Sequence, residues 1–168
     1  MLDFMNSLQI DPISAIVSGI SALNRKRLDN IEEKAHLQEI LEEIQDNFKI
    51  IKDDFIKNEC AIENIITALK ITNLEKGERA RKRNKLDFNG IKQGKINIQC
   101  FVSAHQKKYY SEYDTEQLLL KIREKIKEIK KIKSLYFKGN KWSPKVNQKT
   151  RMKTIVELFI LLANHLNS

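Results

Sequence analysis

Glycine and proline are scarce, with five and two residues in a chain of 168. Tight corners between strands are built largely on these residues. Their scarcity argues against an architecture of many short strands and favours long helices joined by few loops. Cysteine occurs only as Cys60 and Cys100. No C-x-x-C pair exists, which excludes a zinc knuckle and a thioredoxin-like redox site. The two thiols fit a reduced, cytoplasmic protein and are expected in its core. No uninterrupted apolar run reaches the roughly 18 residues that a spanning helix needs; the most apolar stretches, 10–23 and 155–166, are too short. No basic n-region precedes the first of these, and Asp3 and Asp11 stand there instead, so no secretory signal is read.

What is abundant is Leu, Ile, Lys, Glu and Gln, most of them good helix formers. A chain of this length buries a core without disulfides or metals. The expected fold is all-α and single-domain, a four- to five-helix bundle with long helices. In the apolar N-terminal segment, 1–27, Asp11 and Pro12 fit the cap and first position of a helix. Ile13, Ile16, Val17, Ile20 and Leu23 recur there at helical spacing. Residues 28–72 carry an apolar stripe (Leu28, Ile31, Ala35, Leu41, Ile44, Phe48, Ile51, Phe55) and then a second one (Ile62, Ile65, Ile66, Leu69). This acidic segment is either one very long helix or an antiparallel hairpin broken near 57–60.

The connector 73–113 is basic at first, with 75–85 either extending a helix or forming a loop, and irregular afterwards. There Ile96, Ile98, Cys100 and Val102 suit a strand, while Ile98, Val102, His105 and Tyr109 suit a helix. The clearest element is the basic helix 114–138, capped by Asp114 or Thr115. It is striped by Leu119, Ile122, Ile126, Ile129, Ile132 and Tyr136, with Gly139 as a stop signal. A loop containing Trp142 and Pro144 leads to the apolar C-terminal helix, 150–167. Its apolar character on most sides places it at the centre of the bundle.

Charge is plentiful and segregated. Lys plus Arg number 31 against 22 Asp plus Glu, a net charge of +9. Such a surplus favours anionic partners, RNA, DNA or an acidic membrane face. Residues 29–63 hold eleven acidic and four basic side chains, whereas 121–153 hold thirteen basic and two acidic ones. Either the acidic hairpin packs beside the basic helix and the fields partly cancel, or each half meets its own partner. In both cases some positive surface stays outside. For nucleic acid, a lattice of Arg79, Arg81, Lys82, Arg83 and Lys85 with Lys121, Arg123, Lys125, Lys127, Lys130, Lys131 and Lys133 would meet the phosphate backbone in a salt-dependent way. Stacking aromatics are few, with Tyr109, Tyr110 and Trp142 the nearest, and no sequence-reading signature occurs.

Chemistry is sparsely written. His36, His105 and His165 are each isolated from cysteine and from one another. His36 is expected at the surface, and His165, on the apolar helix, partly buried and hydrogen-bonded. Phosphate-loop, dinucleotide, zinc-protease and serine-hydrolase motifs are all missing. Adjacent carboxylates such as Glu42 and Glu43 or Asp53 and Asp54 diverge on a helix and make no paired site. The chain reads as non-enzymatic, with no catalytic residue, metal or cofactor expected.

The amino-terminal segment is the most specific clue. Ser14, Ser18 and Ala22, and likewise Ala15 and Gly19, are small residues spaced four apart. Membrane helices use that spacing to bring backbones together. Ile13, Ile16 and Ile20 lie opposite, and Arg25, Lys26 and Arg27 would meet acidic headgroups. The run from Asp11 through Ile20 resembles the opening of fungal HeLo-type helical domains, a resemblance that covers about a tenth of the chain. It implies membrane targeting and a role in cell death. Small basic helical bundles also invite comparison with the HEPN nucleases, whose motif is Arg, four to six residues, then His. No Arg stands in that window before His36, His105 or His165, and Arg151 precedes His165 by fourteen residues. That resemblance stops at an inactive, helical version. A looser analogy is to helical accessory proteins of prokaryotic antiviral systems.

Two functions are therefore expected. In the first, a helical effector or accessory protein self-associates through the N-terminal helix and acts at an acidic membrane surface, peripheral on its inner face. In the second, a helical accessory subunit binds nucleic acid. A plain protein-binding bundle is the third course.

Overall fold

A computed structural model describes residues 12–25, 31–57, 60–96 and 109–167. The fold is all-α, with six α-helices among the described residues and one very small antiparallel sheet. The helices are α1 (Pro12–Arg25), α2 (Ile31–Lys49), α3 (Ile62–Ala68), α4 (Thr72–Lys82), α5 (Thr115–Tyr136) and α6 (Gln148–Asn167). Helix α2 runs on into a wider, π-type coil, Ile50–Lys57. A 3-10 turn, Phe88–Gly90, follows α4. Strands β1 (Phe137–Lys138) and β2 (Lys141–Trp142) pair between α5 and α6.

Helix α6 is the hub, packing against α1, α5 and α2. Met152, Ile155, Val156, Phe159 and Leu162 are buried along one side. Leu158, Ile160, Leu161 and Ala163 are buried along the other, as a helix apolar most of the way round requires. Phe159 meets Phe48 of α2 edge to face, with centroids 6.0 Å apart. Each fully buried Leu, Ile or Phe contributes about 1.5–3 kcal/mol, and one continuous apolar cluster draws on all six helices.

The acidic segment is a hairpin rather than one long helix. The return arm, α3 and α4, antiparallels α2, so that Asn47 faces Lys70 and Glu43 faces Asn73 and Leu74. Two buried polar side chains of α2 set the corner between α3 and α4. The Asn47 amide donates to the Lys70 carbonyl and accepts from the Lys70 amide, both at 2.7 Å. The Glu43 carboxylate accepts from the amides of Asn73 and Leu74 at 2.9 and 3.0 Å, occupying the open N-terminus of α4. Farther along, α2 and α4 touch at Gly77, where a β-carbon would lie 2.7 Å from Ile40 Cδ1 and 2.9 Å from Phe88 Cε1. The basic stretch at 75–85 is therefore helical as far as Lys82.

Helix α5 begins with a reciprocal cap. Asp114 accepts from the Gln117 amide, and Gln117 accepts from the Asp114 amide. Gly139 does not end this helix. It sits with Asn140 at the tip of the β-hairpin, both with positive φ (56° and 59°), as a two-residue turn of primed type needs. The expected loop at 137–148 is thus partly a hairpin, and α6 starts at Gln148, with the Asn147 side chain accepting from the Thr150 amide at 3.0 Å.

Five placements run against the apolar pattern: Cys60 and Ile31, and also Val17 of α1, Ala35 of α2 and Tyr136 of α5, which stand on the expected stripes yet are exposed. Cys60 is exposed instead of in the core, because it lies in the non-helical corner before α3. Ile31, on the apolar stripe, is 84% exposed at the start of α2. Cys100, His105 and the undecided pattern at 98–102 lie outside the described residues. Residues 91–96 carry no regular element, and the Ile96 amide donates to the Tyr113 carbonyl.

Candidate nucleic-acid interface

Helix α5 displays its basic residues in two settings. Along most of its length they meet carboxylates of the same chain. Arg81 pairs with Glu116 at 2.5 Å, which pushes the guanidinium further up from its ordinary value. Arg123 pairs with Glu78, which also holds Lys82 at 3.1 Å. Lys127 reaches Glu75, Lys121 reaches Glu124, and Lys125 reaches Glu128 at 2.8 Å. Glu128 also accepts from Arg151; the hydrogen bond from Lys125, then the one from Arg151, hold its carboxyl below the usual range against the effect of burial. The partners come mainly from α4 and from α5 itself, so α4 and α5 run antiparallel with their charges matched.

A cleft of about 370 Å³ between α5 and the start of α6 is lined by Lys125, Lys145, Asn147, Thr150 and Arg151. Glu128 lines it too and already binds two of its cations. The cleft is electrostatically occupied from within.

Toward the C-terminal end of α5 the setting changes. Lys130 and Lys133 reach across to α3, donating to the Thr67 and Glu63 carbonyls respectively, and Lys133 also donates to the Thr67 hydroxyl. The Thr67 carbonyl belongs to the last turn of α3, where cations are favoured, while the Glu63 carbonyl lies in its first turn and also accepts from the Thr67 hydroxyl. Burial, then the Lys133 charge, lowers the Lys130 ammonium below its ordinary value. Beyond them no acidic residue occurs between Glu128 and Glu157. Lys131, Lys138, Lys141, Lys145 and Lys149 are exposed and form no ion pair with any described residue. Three of the five stand on or beside the hairpin.

The hairpin is anchored on one side. Phe137 and Trp142 are cross-strand partners with ring centroids 5.2 Å apart, and the Trp142 indole N–H donates to Glu63 at 3.4 Å. The other cross-strand pair is Lys138 opposite Lys141. Leu135 and Tyr136, at the junction with α5, are 52% and 45% exposed.

The expected lattice is thus not one surface. Arg79, Arg83 and Lys85 are exposed without a described ion pair at the far end of α4, beside the start of α5. They lie about 30 Å from the hairpin, at 1.5 Å per residue of α5. Arg81, Lys82, Lys121, Arg123, Lys125 and Lys127 are spent internally. The residues that the spacing did not single out are Lys138, Lys141, Lys145 and Lys149. Their signal was the acid-free run itself, interrupted by Gly139 and Asn140.

In α1, Ala15, Ile16 and Leu23 are buried, and Gly19 is held against Leu166 of α6, where a β-carbon would lie 3.0 Å from Leu166 Cδ1. The close approach that small residues permit is made within the chain. Ile13 and Ile20 are half-buried against the same core. Ser14, Val17, Ser18, Ala22 and Arg25 remain on the solvent side. Lys26 and Arg27 lie outside the described residues. No helix among the described residues is long and apolar enough to cross a membrane.

His165 is buried. Its Nε2 lies 2.9 Å from the Thr115 hydroxyl, which donates to the Lys92 carbonyl at 2.6 Å. Burial, then the nearby Lys92 charge, pushes the imidazole below its ordinary value. His36 is partly exposed, 3.8 Å from Glu39. Among the described residues no cluster of His, Cys, Asp and Glu is suited to a metal ion.

Fold and surface together define a small helical bundle with a positively charged, aromatic-edged hairpin at one end. Compared with family models, curated proteins and solved structures, the chain matches none.

Proposed function

We propose that this chain is a helical accessory module that binds nucleic acid through the hairpin end, by Lys131, Lys138, Lys141, Lys145 and Lys149. The observation that carries this reading is the sorting of charge. Acidic residues neutralise α5 wherever α4 faces it, whereas the five exposed lysines between 131 and 149 form no ion pair with a described carboxylate, the nearby Glu63 being held by Trp142 and Glu128 by Lys125 and Arg151. A stretch kept free of acid beside a hairpin fixed by Phe137, Trp142 and Glu63 suits a phosphate backbone, whose affinity rests on counterion release. Binding to RNA and DNA oligonucleotides, titrated from about 50 to 200 mM salt, tests it. A steep loss is expected for the wild type, and no binding at low salt rejects the reading.

The second reading is self-association, or contact with an acidic membrane, through α1. It is supported by the exposure of Val17, 43%, among Ser14, Ser18 and Ala22. Its test needs an exposed position, because Gly19→Leu would collide with Leu166. Light scattering and flotation with acidic vesicles, wild type against Val17→Asp, serve here. A monomer that ignores vesicles in both forms ends this reading.

A further inference from the structure

We infer that the preferred ligand of the hairpin end is an unpaired nucleic-acid strand, with one base stacked on Tyr136 and a phosphate held between Lys138 and Lys141. The inference rests on the nucleic-acid reading above and adds to it the class of nucleic acid and the residue that tells strands apart.

Three observations lead there. The first is the opposition of Lys138 and Lys141 across a two-residue turn. Like charges directly opposite in a hairpin destabilise it, and neither ammonium meets a described carboxylate. An anion placed between them removes that repulsion. The second is the division of the hairpin into two faces. Phe137 and Trp142 are partners on one face, which Glu63 and the Lys133 ammonium, 5.9 Å from the Phe137 ring, tie to the bundle. By strand alternation the lysine pair projects from the other. The third is Tyr136. Its carbonyl accepts from the Ser143 amide at 3.0 Å, so its backbone is fixed at the foot of the hairpin, yet its side chain is 45% exposed beside the equally open Leu135.

An exposed aromatic ring next to a phosphate seat is the arrangement by which single strands are held without sequence preference. A duplex offers no such base, since its bases are already stacked on one another. A duplex would also favour a long straight row of cations, and along α5 that row is neutralised by Glu75, Glu78, Glu124 and Glu128. A bilayer fits less well than a strand. The hairpin tip is Lys138, Gly139, Asn140 and Lys141, so the apolar groups sit at its foot and cannot lead into lipid.

The experiment compares four probes at low salt by fluorescence anisotropy: a 20-nucleotide oligouridine, an oligomer with the same number of phosphates and no bases, a 20-base-pair duplex, and vesicles containing phosphatidylserine. Oligouridine is expected to bind roughly tenfold more tightly than the baseless oligomer, the equivalent of one stacked base. Tyr136→Ala should abolish that difference with an unchanged salt slope, and Tyr136→Trp should restore it. Thermal unfolding of both variants confirms that the fold is kept. Equal binding of oligouridine and the baseless oligomer overturns the stacked base and leaves the backbone reading standing. Duplex binding as tight as that of the single strand, or vesicle binding tighter than either, overturns the inference. Failure of all nucleic-acid probes at low salt overturns the nucleic-acid reading as well.

Discussion

The two ends of α5 carry similar residues and behave as different materials. In its first two-thirds, Lys121, Arg123, Lys125 and Lys127 alternate with buried Leu and Ile, and each meets a carboxylate. Toward its last turns and the hairpin the lysines continue, but the carboxylates stop after Glu128. Exposed ion pairs contribute only about 0–1 kcal/mol each, so the paired region gains little stability from its charges. What it gains is neutrality. The difference shows that net charge says how much positive surface must exist, while the placement of acidic neighbours says where it lies.

The most decisive way to break this comparison is to exchange charge at the two ends. Replacing Lys131, Lys138, Lys141 and Lys145 together by Gln should weaken oligonucleotide binding by about a hundredfold or more at 100 mM salt. It should also flatten the salt slope by about 0.7 for each lost phosphate contact on a single strand. The control set Lys121, Lys125 and Lys127 to Gln, one charge fewer, should change affinity less than threefold. An equal effect of the two sets would show that the ion pairs leave α5 as available as the hairpin.

Stability probes sharpen the contrast from the inside. Gly77→Val forces a branched side chain against Ile40 and Phe88, and should cost about 2–3 kcal/mol in denaturant unfolding, with binding by the folded fraction intact. Glu43→Leu removes the buried acceptor from two amides of α4 and should cost about 1–3 kcal/mol. Because α4 brings Glu75 and Glu78 to α5, this variant should also bind oligonucleotide slightly more tightly as those pairs loosen.

Acid titration gives a smaller effect. His165 has a folded-state pKa below that of the unfolded chain, so the unfolded state binds its proton first. Its contribution is complete above the unfolded value of about 6.5 and is lost as pH falls toward and through the folded value. The melting temperature should decline between pH 7.5 and 5, and His165→Gln should flatten that decline. The smallest effect has opposite signs in two assays. Lys138→Glu places unlike charges opposite each other and should stabilise the hairpin by about 0.2–1 kcal/mol, while weakening oligonucleotide binding. A variant that improves both would remove the lysine pair from the site.

Much of the architecture was legible in order along the chain. Apolar residues three and four apart located α1, α2, α5 and α6, and the near-continuous apolar character of the last helix marked it as central, because only a surrounded helix can bury both flanks. Asp114 announced the start of α5, since a short carboxylate can reach the amides of the first turn. His165 was legible as a hydrogen-bonded group because it interrupts an apolar face, but it was expected only partly buried and is fully so. The break between α3 and α4 was not legible, since it depends on Asn47 and Glu43 arriving from another helix. Gly139 was ambiguous, because positive φ serves a helix end and a hairpin tip equally well.

Local periodicity and composition thus settled that the chain is helical, which faces are apolar, and that positive charge must remain outside. The fate of each small or charged side chain was decided only when helices distant in sequence met. Gly19 has one structural role if Leu166 fills the space above it and another if nothing does. Lys127 and Lys138 are the same residue type, and only the arrival of Glu75 beside one of them makes them different. Coulomb and contact energies depend on distances in space, and those are set by packing across the core rather than by position along the chain.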